Sequence, residues 1–295
     1  MKIVPSCAPC LLRRVLATAQ RVTDDLWLHD KVLGQVMNAW VEADRDETPA
    51  ERVTQLNELV CRNLGVADPW QKVRESWVEE VAPHVEGVAG QIAAAEDPLA
   101  TALAVSARSN AFDDELLTKK ALRAELRRLG AGGDSEGIDP LTVSDLKRFR
   151  KDLADAETLL FLHDSAPELP FDRLLIEQLV AERPELKITS VVRGQPILLD
   201  ATLEDWQNAG IGDLPQVVEA VEPGVAGVGV PLEGASREFR ERFESSDLVL
   251  AKGQAHRETL AESERAVYAL LRLKCAVLAR EEGGKIGDTL FVRKS

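Results

Sequence analysis

The chain has 295 residues, 45% apolar and 29% charged, and a formal net charge of −14. That length allows one large core or two fused ones, and the composition is that of a folded globular protein rather than a disordered one. The acidic balance argues against nucleic acid as a partner, because phosphate backbones require basic patches, and no apolar run approaches the roughly 18 residues of a membrane span.

The opening Met1-Lys2-Ile3-Val4-Pro5-Ser6-Cys7 lacks the apolar core of a signal peptide, which points to the cytoplasm. Cys7 and Cys10 form a Cys-x-x-Cys at the start of a helical pattern carried by Leu11, Leu12, Val15 and Leu16. Such a pair is either a redox or metal couple or two small buried side chains. With Cys61 and Cys275 the chain holds four cysteines. That is not a disulfide scaffold at this length, although four thiolates close together would make a zinc site.

Two more helical patterns follow. Val32, Leu33, Val36, Met37, Trp40 and Val41 make one, and Val53, Leu56, Leu59, Val60 and Leu64 the other, with apolar residues at the spacing of one helix face. Pro49, Pro69 and Pro83 fall near the ends of such patterns. Residues 1–97 are therefore expected to form a helical subdomain. Asp97-Pro98 starts a further helix running to Ser109-Asn110, with Asp97 as cap and Pro98 in the first turn. A basic helix is predicted over 116–129. The glycine-rich stretch 130–137 reads as a loop, and it lacks the Lys-Ser/Thr ending of a P-loop.

From about residue 140 strands alternate with helices. Strands are predicted over 158–163, 187–193, 216–221, 247–251 and 289–292. Helices are predicted over 171–183, 202–210, 236–244 and, as one long element, 258–280. This alternation implies an α/β fold for residues 98–295, a three-layer α/β/α sandwich with a mostly parallel sheet.

Ligands of open α/β sheets bind beyond the carboxyl ends of the strands, and three such ends carry charge. Asp164 follows the run Thr158–Leu162 and His163, Asp200 follows Ile197-Leu198-Leu199, and Lys252 closes Leu248-Val249-Leu250-Ala251. One aspartate in a strand–helix loop is ordinarily a helix cap. Two at neighbouring strand ends repel unless a cation lies between them, and oxygen donors of that kind suit Mg²⁺ or Mn²⁺. A lysine followed by glycine can reach a phosphate that the backbone also approaches closely.

These residues resemble the motifs of the damage-control phosphatases. Asp164-Ser165-Ala166-Pro167-Glu168-Leu169-Pro170-Phe171-Asp172 is similar to the family's Asp-Asn-Ala-Gly-Glu-x-x-Phe-Asp. Ser109-Asn110-Ala111-Phe112-Asp113 resembles Gly-Asn-x-Ile-Asp. The segment from Val191 to Thr202 resembles Val-Val-Arg-Gly-x-Pro-Ile-x-Asn-Asp-x-Thr, and that from Asp247 to His256 resembles Asp-Leu-Val-x-x-Lys-Gly-Gln-Gly-Asn. Cys7-Ala8-Pro9-Cys10 and Leu273-Lys274-Cys275-Ala276 are similar to the stand-alone prokaryotic branch.

The resemblance implies a helical N-terminal part on an α/β/α sandwich, and a metal-dependent phosphatase acting on a small phosphorylated metabolite such as a sugar phosphate. It implies Asp164, Ser165 and Asp200 as ligands of Mn²⁺, Co²⁺, Ni²⁺ or Mg²⁺. It also implies Lys252 on the phosphate, with Asn110, Asp113, Glu168, Arg193 and His256 lining the pocket. The chain departs from the motifs at four places. Ser165 and Leu199 stand where the family has Asn, Pro167 where it has Gly, and Ala255-His256 where it has Gly-Asn. A family member that keeps the fold as a binding or regulatory protein is the alternative implied by those departures. A carboxyl methyltransferase is disfavoured, because no Gly-x-Gly loop follows the first sheet strand.

Overall fold

The computed structural model describes residues 1–114, 116–129 and 138–294. The loop expected over 130–137 lies outside them. Five helices occupy the first part of the described chain: Ala8–Val22, Leu26–Val41, Pro49–Leu64, Gln71–Val81 and Val85–Ala94. Their starts follow the local sequence. Thr48 and Glu51 form a reciprocal capping box before Pro49, and Asp25 accepts from the N–H groups of Trp27 and Leu28; both satisfy donors a helix start leaves unpaired. Asp97 caps the helix Pro98–Ser109 as expected, accepting from Ala100 N at 3.0 Å.

A seven-stranded sheet forms the centre. Its strands are β1 (Val143–Ser144), β2 (Thr158–Leu162), β3 (Lys187–Val191), β4 (Val217–Val221), β5 (Leu248–Lys252), β6 (Val267–Arg272) and β7 (Thr289–Lys294). The order is β1-β7-β6-β5-β2-β3-β4, with β6 and β7 antiparallel and every other pair parallel. Alternate residues of β2 face opposite cores. Leu159 and Phe161 join Leu174, Leu175, Leu103 and Trp77 on one side, while Leu160 and Leu162 join Phe239 and Phe243 on the other. This is the two-residue period of a strand covered on both faces.

Two regions differ from expectation. The long helix predicted over 258–280 is a short helix Gln254–Thr259, then β6, then a helix Ala276–Glu281. The run Val267–Leu271 is apolar throughout and buried, so periodicity alone does not distinguish strand from helix there. Pairing on both edges, with β5 and β7, makes it a strand. The second difference is β1 with the amphipathic helix Leu146–Asp155, whose Phe149 and Leu153 are buried and for which no element was expected. Other boundaries shift slightly: the strand over 187–193 ends at Val191, and helices form at Leu169–Glu182, Leu203–Asn208 and Arg237–Ser245.

Phe149 packs edge-on against Tyr268 of β6 (4.9 Å) and Phe291 of β7 (5.0 Å), tying this unexpected helix to the antiparallel edge. Phe149→Ala is expected to lower unfolding stability by about 3–5 kcal/mol through the cavity it leaves, measured as a lower urea midpoint at unchanged slope.

Candidate active site

The carboxyl ends of β2, β3 and β5 lie side by side because β2 pairs with both of the others. Beyond β3 the chain folds back so that Ser165 and Asp200 form an isolated antiparallel bridge. Ala201 N donates to Asp164 O at 2.8 Å, Ala166 N to Leu199 O at 2.9 Å, and Arg193 N to Ala201 O at 2.8 Å. Backbone pairing thus sets Asp164 and Asp200 next to each other. The turn places Leu198 at φ 47°, the one positive φ at a non-glycine among the described residues. Its carbonyl accepts from Arg74 Nη1 at 2.7 Å, and Arg74 is itself paired with Asp68. Leu199 is fully buried in the main core; at this motif position the side chain packs.

Lys252 ends β5 and is fully buried. Its Nζ lies 2.5 Å from Glu168 Oε2 and 2.6 Å from Asp172 Oδ1, with Ser109 Oγ at 3.5 Å. Burial alone would pull this ammonium down, but the two carboxylates outweigh it and hold Lys252 above its ordinary range. Burial would likewise raise Asp172, and Lys252 with His163 overcomes that, leaving it below the usual carboxylate range. Asp172 also accepts from Ser106 Oγ at 2.8 Å and from His163 Nδ1 at 2.9 Å. Lys252 was expected on a phosphate. The structure turns it inward, because its strand-end position faces the carboxylates of the helix that follows β2.

Glu168 carries this network to Asp164. Its Oε1 accepts from Ser165 Oγ at 2.6 Å and from Asn110 Nδ2 at 3.1 Å. Asn110 Nδ2 also donates to Asp164 Oδ2 at 2.7 Å, while its Oδ1 accepts from Arg272 N at 3.3 Å, which fixes the amide's orientation. Ser165 was expected as a metal ligand, but its hydroxyl is fully buried and donates to Glu168. Gly253, at φ +84°, lies against the Asp164 carboxylate so closely that a Cβ there would collide with it. Burial, then the charges of Asp113, Glu168 and Asp200, push Asp164 well above the ordinary carboxylate range.

Asp200 is held from the other side. Arg193 Nε donates to its Oδ2 at 2.7 Å, and Arg193 Nη1 donates to Gly229 O at 2.7 Å. His256 Nδ1 lies 2.7 Å from Lys252 O. A carbonyl only accepts, so Nδ1 carries the proton and Nε2 faces Arg193 Nη2 at 3.3 Å as acceptor. Burial, reinforced by Arg193, lowers His256 to about 3. His256 is thus a neutral brace for Arg193.

A cavity of about 330 Å³ opens above these residues. Asp113, Asp164 and Asp200 reach its wall, whereas Asn110, Glu168, Arg193, Lys252 and His256 stand behind it. The lysine that does reach the wall is Lys274, whose Nζ binds Asp113 Oδ2 at 2.5 Å and Asp113 O at 2.6 Å. Burial would lower Lys274, but Asp113 and Asp164 outweigh it and raise it. Glu258 lies in the same wall, pushed to about 6 by burial. Neither Glu258 nor Asp172 carried a functional expectation, nor did Lys274, although Asp172 and Lys274 stand inside recognised motifs. Among the described residues no three His, Cys, Asp or Glu side chains form a ready-made metal cage.

A family model described as the damage-control phosphatase ARMT1-like domain matches residues 3–290. A damage-control phosphatase of Archaeoglobus fulgidus is 34% identical over 98% of both chains. One of Pyrococcus horikoshii is 28% identical, covering 95% of this chain and 94% of its own. The crystal structure of a DUF89 family protein from Pyrococcus horikoshii covers 100% of both chains at 25% identity with a TM-score of 0.84. The chain belongs to the damage-control phosphatase family, and the mixed α/β sheet with its helical N-terminal part is the fold the motifs implied.

Two outcomes follow from the inward lysine. Lys252→Met leaves Glu168 and Asp172 buried without their cation and is expected to cost about 3–5 kcal/mol at pH 7. With Lys252 gone, burial is left to raise the folded pKa of Asp172 above its unfolded value. Such a group stabilises most when protonated, so the deficit relative to wild type should shrink as pH falls toward 5. Urea titrations at pH 7 and pH 5 check both points, and a deficit that grows in acid would contradict the assignment.

Proposed function

We propose that this chain is a metal-dependent phosphatase that hydrolyses a small phosphorylated metabolite, a sugar phosphate or similar ester, in a metabolite damage-control role in the cytoplasm. The observation that carries this reading is the convergence of Asp164 and Asp200 on one cavity wall beside Lys274. Five carboxylates, Asp113, Asp164, Glu168, Asp172 and Asp200, gather here, with Lys252, Lys274 and Arg193 paired among them, Arg14 in the same cavity wall and His256 neutral. The repulsion of Asp113, Glu168 and Asp200 on the buried Asp164 is what a bound cation would relieve. Hard carboxylate oxygens with room for water and a phosphate oxygen fit Mn²⁺ or Mg²⁺, with Co²⁺ and Ni²⁺ as further candidates.

Asp164 and Asp200 would hold that ion, which when bound polarises a phosphoryl oxygen and lowers the pKa of an attacking water. The remaining work falls to the chain's own groups. Arg193 and Asn110 fix the two aspartates in position. Lys274 places a positive charge in the cavity wall, where it offsets charge on phosphoryl oxygens. Lys252 neutralises the carboxylates behind the wall. A second reading, a binding protein without turnover, is favoured by one observation: the Ser165 hydroxyl is committed to Glu168 rather than to the cavity.

A panel of phosphate esters assayed with each of the four metals tests the reading. Turnover is expected, with loss on chelation, and Asp164→Asn should lower kcat/KM on the order of 100-fold or more. Activity that survives chelation, or that ignores Asp164→Asn, would refute metal-dependent hydrolysis. No turnover with any metal, together with a Tm raised by a phosphate ester, would select the binding protein.

Lys274→Met keeps the carboxylates and removes the wall's ammonium. Its expected effect is a KM raised on the order of 10-fold for phosphate esters, read from steady-state kinetics with the metal saturating.

A further inference from the structure

Glu258 stands in the wall of the cavity that Asp164 and Asp200 share, and nothing in the proposed hydrolysis uses it. It belongs to the helix Gln254–Thr259, which starts directly after Gly253, the residue packed against the Asp164 carboxylate. Glu258 therefore lies about one helical turn, roughly 5.4 Å, from the helix end that meets Asp164. Gln254 ties these places together. Its Nε2 donates to Glu258 Oε1 at 3.0 Å, and its Oε1 accepts from Lys274 N at 3.3 Å. The backbone of the wall lysine and the carboxyl of Glu258 are thus held on either side of one amide.

The other carboxyls of that wall are engaged. Asp113 is paired with Lys274 and Asp200 with Arg193, and Asp164 is the second aspartate of the proposed ion site. Glu258 is buried and takes its side-chain hydrogen bond from a neutral amide. Burial pushes it up to about 6, opposed by hydrogen bonds from Gln254 and Ala50 and by the charges of the terminal amine and Arg14. The remaining titratable groups that share the wall are Cys7 and Cys10 at the first helix, Lys274 and Cys275 after β6, and Arg280. A carboxyl that holds a proton close to neutral pH can deliver it to a reacting atom.

We propose, resting on the phosphatase reading, that Glu258 is the general acid that protonates the leaving alcohol oxygen of the ester. Water attacks phosphorus, a new P–O bond forms, and the bond from phosphorus to the ester oxygen breaks. The electron pair of that bond goes to the ester oxygen, which takes the proton of Glu258 and leaves as the alcohol. Both protons of the attacking water stay at first on the phosphate. The phosphate gives one up to solvent and leaves as hydrogen phosphate, and Glu258 regains one from solvent. An alkyl alcohol needs the donated proton because its alkoxide is strongly basic, whereas a nitrophenol leaves without it.

Steady-state kinetics of the full chain with glycerol phosphate and with para-nitrophenyl phosphate, the metal saturating, test this role. Glu258→Gln keeps the shape of the side chain. It should lower kcat on the alkyl ester on the order of 100-fold or more and leave kcat on the aryl ester nearly unchanged. In wild type the ratio of alkyl to aryl kcat should fall as pH rises through about 6, because the acid loses its proton; in Glu258→Gln the ratio should be flat. Gln254→Leu keeps the acid but removes a hydrogen bond that favours its ionised form, so the fall should move to higher pH. Circular dichroism checks the fold of each variant, and the wild-type ratio with the Gln254→Leu shift decides if Glu258→Gln does not fold. Difference infrared spectra taken without ester should show a protonated carboxyl that ionises in the same pH range and is missing from Glu258→Gln. Equal losses on the two esters, a wild-type ratio that ignores pH, or a Glu258 carboxyl ionised throughout would overturn the proposal. Turnover of both esters at an unchanged ratio removes the general acid and leaves the phosphatase reading standing, whereas no turnover of any ester by wild type removes both.

Discussion

The contact on which the site depends is a buried ammonium between two buried carboxylates. Lys252 meets Glu168 and Asp172 with no exposed surface on any of the three side chains. Removing each ion from water costs several kcal/mol, and only close pairing with further hydrogen bonds offsets that. Ser106, Ser109 and His163 supply those bonds. The cluster therefore has one satisfactory arrangement. It fixes the end of β5 against the helices Pro98–Ser109 and Leu169–Glu182, which carry the partners.

The two cavity-wall aspartates inherit their positions from this cluster. Glu168 is restrained by Lys252, and its other oxygen restrains Ser165 and Asn110. Asn110 then restrains Asp164. On the opposite side Lys252 acts through its backbone: its carbonyl orients His256, and His256 supports Arg193 on Asp200. One residue thus braces both aspartates without reaching the cavity. The four departures from the family motifs take on meaning in this frame. Ser165 donates a hydrogen bond to Glu168 where the family motif has Asn, Pro167 sits in the first turn Ala166–Glu168, which needs no donor there, and Leu199 fills the core. His256 uses both ring nitrogens inside the protein. The alterations are absorbed by the framework around the aspartates.

The strand ends were legible because their signals are local. A buried strand is a short apolar run, and a charged residue that breaks it marks its end, so Asp164 and Lys252 could be located from the sequence; the run before Asp200 is a turn beyond the end of β3, and Asp200 is placed by its bridge to Ser165. Which way a strand-end side chain points is not local. Lys252 turns inward only because Asp172, eighty residues away, waits on a neighbouring helix. The continuous run Val267–Leu271 carried no period to separate strand from helix, and only its pairing on both edges makes it a strand. Helix Leu146–Asp155 has few apolar residues, and its burial depends on Tyr268 and Phe291 far along the chain. Lys274 and Glu258 become site residues only when β6 brings the late segment beside the helix Gln254–Thr259.

The cavity itself shows why the helical N-terminal part matters to chemistry at the sheet. Cys10, Leu11 and Arg14 of the first helix and Ala50 and Val53 of the third line the same cavity as the aspartates. A sheet edge alone would leave those carboxylates in water, where attraction for a cation or a phosphate is weak. Enclosure lowers the local dielectric and strengthens every charge interaction at once, including the repulsion that raises Asp164. A chain of net charge −14 repels anions at a distance, so attraction for one must act over a few ångströms, from cavity-wall cations such as Lys274 and Arg14. The helices make that short-range attraction strong enough to matter, and the apolar side chains they contribute narrow the space beside it.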